Sequence, residues 1–248
     1  MRELTEWWHQ INGTECRWLI LGKGPSFERR NDYNLHSYTT IAINHVVREL
    51  RVDVTSAVNY DVLRDCGDAI YENSRFLLMP RYPHSIPGDA EFLLESYFQT
   101  YPVLEQLNRE ERLIWYNLSS DPFFPGAPVI ENSAFSVCIL FNLLATLGVC
   151  RLRTLGVDGG RAYASSFADI EEKTRLANGM ATYDNQFPDM MRTVRRYGLD
   201  YAPLNDRDQR LRLKMLWHFR RQGFKFYPRR FFRCWLSRLP RRGRLTSL

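Results

Sequence analysis

Four polar stretches in this chain have the residue types and spacing to grip a phosphorylated ligand. The first is GKGPSF, in which Gly22, Lys23, Gly24 and Ser26 directly follow the apolar run RWLIL. A glycine-rich turn behind a first strand lets backbone N–H groups approach phosphate oxygens, and the same turn also suits a plain tight connection. Its spacing matches neither a dinucleotide fingerprint nor the Gly-Lys-Ser/Thr of an ATP-binding loop. Asn44 and Asn59 close the apolar runs TTIAIN and VTSAVN, where an amide offers both donors and an acceptor to a base or ribose or else forms a turn. Asn132 and Ser133 precede a long apolar segment, as helix caps or as the mouth of an anion-favouring helix start. Asp158, Gly159 and Gly160 end the run RLRTLGV, with Tyr163 shortly after; the glycines serve a ligand or a bend.

The elements that position these residues are legible as alternating short apolar runs and helical patterns, which predict an α/β fold with a mostly parallel sheet. Strands are expected at 17–21, 40–44, 53–58, 75–79, 113–117, 150–156 and 199–202. Helices are expected at 134–147, apolar nearly all round and therefore buried, and at 90–108, 169–178 and 188–197. Gly148, Gly179 and Gly198 suit helix ends. The segments MPRYPHSIPGD and DPFFPGAP carry too much proline and glycine for a helix or central strand and read as loops. In an open parallel sheet, groups behind several strands share the carboxyl edge, so the four stretches are expected to meet there.

At 248 residues and 44% hydrophobic, the chain suffices for one sizeable core. Its five cysteines, Cys16, Cys66, Cys138, Cys150 and Cys234, have no zinc-ligand or disulfide-framework spacing, which fits a reducing compartment. No run reaches the length of a membrane span, and the first residues lack a basic region leading into an apolar one, so a cytoplasmic location is expected. Charge is uneven: from Arg210 onward there are 13 Lys or Arg and no Asp or Glu, so with 34 basic and 28 acidic residues in all the preceding body is net acidic. Within that tail, RRFFRCWLSRL gathers Phe231, Phe232, Trp235, Leu236 and Leu239 on one side of a helix with arginines at the margins. This pattern predicts an interfacial helix on an anionic membrane surface through residues 210–242. Nucleic acid is the competing partner, disfavoured by the acidic body, and packing of the aromatics onto the body is a third reading.

Taken in order, GKGPSF, IN, VNYD, NSAFSV with its apolar helix, and LGVDGGRAY resemble the bacterial sialyltransferases of the Campylobacter type, glycosyltransferase family 42. That family has a Gly-Asn-Gly-Pro-Ser turn, two strand-end asparagines, a Thr-Ser-Gly helix start, and a Gly-Ile-Asp strand end followed by tyrosines. The likeness spans roughly residues 17–205. It implies a single Rossmann-type domain, an inverting mechanism, and a CMP-linked sialic acid or related ulosonic acid as donor. It also implies that Gly22, Gly24 and Ser26 meet the donor phosphate, Asn44 and Asn59 the nucleotide, and Ser133 the phosphate or the donor carboxylate. Asp158 and Gly159 follow the nucleotide-binding strand, and Tyr163 donates to the departing phosphate. Lys23 replaces the family's asparagine, and a cation there would stabilise the leaving group or simply be solvated. The family's catalytic histidine has no counterpart in ANGMATYDNQFPD. The base that takes the acceptor proton is then Asp184 or His84, each also readable as an ordinary capping or loop residue. His36 and His45 lack partners at metal spacing and read as structural, so no metal or other cofactor is expected.

These readings predict a catalytic body, residues 1–208, and a basic tail, residues 209–248, peripheral on the inner face of the cell membrane. The expected reaction moves the sugar from its CMP donor to a membrane-linked glycan or glycolipid in cell-surface polysaccharide or lipopolysaccharide synthesis, by a chain able to form a homo-oligomer. A pyrophosphokinase-type enzyme, whose relatives also carry Gly-Xaa-Gly-Pro-Ser turns, and a non-catalytic membrane adaptor are the alternatives.

Overall fold

The computed structural model describes residues 1–14, 16–84 and 92–204. The tail at 209–248, with its interfacial helix and Cys234, lies outside the described residues.

A nine-stranded sheet organises the body. β2 (Trp18–Leu21) lies inside it, and β3 (Thr39–Ile43), β4 (Val52–Ser56), β5 (Ser74–Pro80) and β6 (Leu113–Leu118) follow side by side. β1 (Arg2–Glu3) and the short β7 (Val129–Ile130) pair with β6, while β8 (Arg151–Leu155) returns to the other side of β2 and β9 (Asp200–Pro203) lies beyond it. All these pairings are parallel. A parallel sheet needs both faces covered, and successive side chains of a strand point to opposite faces. Ile20, Ile41, Val54, Leu78 and Ile114 accordingly pack with α1 (Leu4–Gln10), α4 (Ser136–Thr146) and α6 (Gln186–Tyr197). Leu19, Leu21, Ala42, Leu77 and Leu113 pack on the opposite face with α2 (Asp61–Asn73), α3 (Pro102–Arg109) and α5 (Ala168–Thr174). α2 and α3, which lead from β4 to β6, cover one face, and α4 and α6, which lead to β8 and β9, the other, with α5 alone of the later helices on the first face. Strand order therefore reverses between β2 and β8, the position at which such sheets open a crevice.

All seven strands expected from the sequence are present, with ends within two residues of those expected. Three helices differ. The stretch expected as one helix at 90–108 is, among its described residues, a 3-10 turn at Leu94–Tyr97 followed by α3, because Pro102 lacks the N–H a continuing helix needs and instead fits a first turn. The helix expected at 169–178 stops at Thr174, and Gly179 lies beyond it. The buried helix begins at Ser136, with Phe135 at the N-cap position and no side chain capping it. Asn132 and Ser133 are therefore not its caps. Asn132 Oδ1 accepts from the Ser133 N–H at 2.8 Å, and the Ser133 hydroxyl turns to Asp189. α1 and α2 have no counterpart in the sequence reading, although α2 buries Val62, Leu63, Cys66 and Ile70 along one face.

Candidate functional site

The loops behind β2 and β8 meet with no room between them. The Gly24 N–H donates to the Gly156 carbonyl at 2.7 Å, and the Gly22 N–H to that of Leu155 at 2.8 Å. A Cβ on Gly22 would stand 2.4 Å from the Gly156 oxygen, and one on Gly156, whose φ is +74°, 2.1 Å from the Gly22 oxygen. Both glycines are thus required by this crossing. Asp158 locks it: Oδ2 accepts from the Ser26 N–H and Oδ1 from the Ser26 hydroxyl, each at 2.6 Å, while Ser26 Oγ accepts from the Gly156 N–H at 2.8 Å. The Ser26 hydroxyl is spent on this staple and does not line the cavity beside it, in contrast with the phosphate contact implied by the resemblance.

That cavity, of about 360 Å³, opens at the carboxyl edge of β2, β3, β4 and β8. Gly22, Lys23, Gly24, Asn44, Asn59, His84, Asn132, Ser133, Asp158, Gly159 and Tyr163 all line it, so of the fourteen residues singled out from the sequence only Ser26, Gly160 and Asp184 do not. Asn44 sits at φ +52°, in the left-handed region that asparagine tolerates better than most residues, and its Oδ1 is buried with no hydrogen-bond partner. A buried acceptor left open costs free energy unless a ligand or water supplies the donor. Ser136 and Val137, the first turn of α4, line the opposite wall, so the positive end of that helix faces the cavity.

Lys23 is the cation of the site. Its ammonium donates to Thr174 Oγ1 at 3.1 Å and lies 4.4 Å from the centre of the Tyr163 ring. Burial, and to a lesser degree the nearby Arg48, lowers its pKa to about 8. Thr174 in turn donates to the Tyr163 hydroxyl at 3.3 Å, and Tyr163 and Tyr183 share a hydrogen bond of 2.6 Å. Burial raises the Tyr163 phenol well above its ordinary value, so it stays protonated and able to donate. Thr174 and Tyr183 were not identifiable from the sequence, since both reach the cavity only through the fold of 163–183.

The two base candidates part company. Asp184 does not line the cavity; its Oδ1 accepts from the Gly160 N–H at 3.1 Å, and it fixes the turn at Gly159 and Gly160. His84 does line it. The His84 N–H donates to the Val58 carbonyl and its own carbonyl accepts from the Tyr60 N–H, each at 3.0 Å, so the end of the prolyl loop adds to the end of β4 opposite Asn59. His84 Nε2 is 3.2 Å from Asp121 Oδ2, and the Asp121 side chain is only 4% exposed. A carboxylate accepting from Nε2–H leaves Nδ1 as the proton acceptor, the arrangement of a histidine base with its orienting acid. Asp121 was legible only as part of a loop, because its partner lies 37 residues away.

His45 is 2% exposed and bonded to Asp65 at 3.2 Å; burial, with Lys23 nearby, lowers its pKa to about 4, so it is neutral at ordinary pH. His36 is exposed on the surface. Among the described residues no group of three or more His, Cys, Asp or Glu could hold a metal ion. The chain also holds one Asp-Xaa-Asp triplet, Asp206 to Asp208, outside the described residues. No helix of the described residues is long and apolar enough to cross a membrane.

Fold and site together define a Rossmann-like α/β protein whose cleft lies at the strand-order reversal of a parallel sheet. Compared with protein-family models, curated proteins and solved structures, the chain matches none.

Proposed function

We propose that the protein is an inverting glycosyltransferase that moves a sialic acid or related ulosonic acid from a CMP donor to a glycan or glycolipid acceptor. The observation that carries this reading is the His84–Asp121 pair at the cleft, which the Lys23 ammonium and the start of α4 also line; the Gly22 and Gly24 N–H groups are spent on the carbonyls of Leu155 and Gly156 and take no part. A base and an electrostatic cradle in one cleft are what a displacement at a sugar carbon requires. Asn44 and Asn59 line the cleft beside the turn and supply the amides for the nucleoside.

In this mechanism the acceptor hydroxyl attacks the anomeric carbon as His84 takes its proton. A new carbon–oxygen bond forms while the bond to the phosphate oxygen breaks, and that electron pair leaves with CMP. Lys23 and the N-terminus of α4 offset the charge gathering on the phosphate. The Tyr163 and Tyr183 hydroxyls supply the hydrogen-bond donor beside it. The basic tail would hold this body at an anionic membrane, where a lipid-linked acceptor is presented.

Consumption of CMP-N-acetylneuraminic acid by the full chain tests the assignment. His84→Gln is expected to slow turnover by about 10²- to 10⁴-fold, the range of a lost general base. Asp184→Asn, which keeps an oxygen for the Gly160 N–H, is expected to stay within about threefold of wild type, since a surface-type change that preserves its bond disturbs little. Full turnover by the His84 variant, with activity lost in the Asp184 variant, reverses the roles.

A further inference from the structure

Each of the two proline-rich loops is fastened at its backbone. Asn117 of β6 is 1% exposed and holds the second loop from inside: its Nδ2 donates to the carbonyls of Phe124 at 2.9 Å and Ala127 at 3.0 Å, while its Oδ1 accepts from the Phe124 N–H at 3.0 Å. The first loop is held through Arg81, whose N–H donates to the Tyr116 carbonyl at 2.8 Å and whose guanidinium lies 4.7 Å from the ring centres of both Trp115 and Phe124. The Asp121 N–H donates to the Leu118 carbonyl at 3.1 Å, and the backbone of His84 is bonded to Val58 and Tyr60. With both backbones fixed, what is left to set is the rotation of the Asp121 carboxylate and the choice of which His84 nitrogen carries the proton.

A chain of hydrogen bonds sets both, and its direction follows link by link. It starts at Asn132, which lines the cleft as His84 does, and passes through Ser120 and Asp121, which do not. The Ser133 N–H can only donate, so the oxygen end of the Asn132 amide faces it at 2.8 Å and the NH2 end faces Ser120 Oγ, also at 2.8 Å. The Asn132 N–H, bonded to Ser119 Oγ at 3.0 Å, keeps that residue from turning. Ser120 Oγ thus accepts from Asn132, and its single proton goes to Asp121 Oδ1 at 2.8 Å. That bond turns the other carboxylate oxygen, Oδ2, to His84 Nε2 at 3.2 Å. A carboxylate can only accept, so the proton sits on Nε2 and Nδ1 keeps its lone pair.

We infer that Ser120, oriented by Asn132, is a positioning residue for His84: through Asp121 it fixes the tautomer in which Nδ1 is open to the acceptor hydroxyl. The inference rests on the reading of His84 as the base, but the polarity of the chain is measurable without turnover. NMR of the histidine ring nitrogens in the full chain, with the His84 signals identified by their loss in His84→Gln, reports which nitrogen carries the proton. Wild type is expected to hold it on Nε2. In Asp121→Asn the Ser120 proton still selects the oxygen end of the amide, which leaves an N–H facing Nε2, and the ring proton is expected to move to Nδ1. Adding Ser120→Ala to that variant removes the selection, and both tautomers are expected together. A wild-type proton on Nδ1, a proton still on Nε2 in Asp121→Asn, or an unchanged ring when Ser120→Ala is added overturns the inference. A merely structural role of Ser120 would not move the ring proton, and because Ser120 is exposed its truncation is expected to leave the circular dichroism unchanged. Turnover of CMP-N-acetylneuraminic acid supplies a second readout: Ser120→Ala is expected to lower kcat about three- to tenfold, the worth of one hydrogen bond, with KM unchanged, and Ser120→Thr to restore it. Wild-type kcat in Ser120→Ala overturns the positioning role. If the ring proton follows the chain as stated while wild type consumes no donor, the transferase reading fails and the hydrogen-bond chain stands.

Discussion

Lys23 is the residue whose chemistry is most constrained by what surrounds it. With its pKa lowered to about 8 by burial, its ammonium is present at neutral pH and is lost within the alkaline range accessible to experiment. A bound phosphate favours the charged form, so affinity for CMP is expected to be full below pH 8 and to fall about tenfold for each pH unit well above it, as one proton is linked to one anion. Isothermal titration of CMP from pH 6.5 to 9.5 checks this. The Lys23→Met variant is expected to bind more weakly throughout and to lack the alkaline fall; an unchanged profile in that variant would assign the titration to another group. The same linkage acts on folding with the opposite trend. The unfolded chain holds the Lys23 proton up to about pH 10.5 while the folded chain releases it near 8, so this group's penalty on stability is relieved as pH rises between those values. At this scale the sequence named most of the cleft, because glycines and amides directly behind strands have few other places to go in a parallel sheet. It could not separate Asp184 from His84. That choice depends on which carboxylate is committed to a backbone N–H and which histidine has an acid beside it, and both facts arise from contacts distant in sequence.

The loops behind β2 and β8 act as one element. Their carbonyls and glycines touch, and Asp158 ties them through Ser26, so the Gly22 to Gly24 turn has little freedom of its own. Asp158→Ala removes two charge-assisted bonds and is expected to cost about 2 to 4 kcal/mol of stability, with weaker CMP binding, in urea unfolding and titration. Gly156→Ala adds a clash with backbone to a left-handed φ and is expected to cost more, leaving little folded protein by circular dichroism. Equal stability of both variants and wild type would mean that the crossing is looser than described. The strands were read from sequence nearly to the residue because their apolar runs are short and bounded by polar residues. α2 escaped because its buried residues Val62, Leu63, Cys66 and Ile70 are diluted by Asp61, Arg64, Asp65, Gly67 and Asp68, and no capping pattern marks its start. The expected caps of α4 were misread for a related reason: Asn132 and Ser133 have the right types, but their side chains serve Ser120 and Asp189 instead.

For the whole molecule, the parallel sheet explains why residues from five separate stretches share one cleft. Strand order reverses between β2 and β8 and opens the edge, α4 turns its start toward it, and the two proline-rich loops bring His84 and Asp121 together beside it. This convergence could be anticipated from the order of strands and turns, whereas the Asn132–Ser120 bond and the Tyr163–Tyr183 contact could not, since nothing in composition tells an anchored loop from a loose one. The central claim is that the cleft holds a cytidine and its phosphate. Thermal denaturation with CMP, UDP, GDP and ATP, each with and without magnesium, measures it directly, because a ligand that prefers the folded state raises the midpoint. CMP is expected to raise it with or without magnesium, and the other nucleotides to leave it close to that of the free protein. Stabilisation by ATP with magnesium and none by CMP would contradict the account.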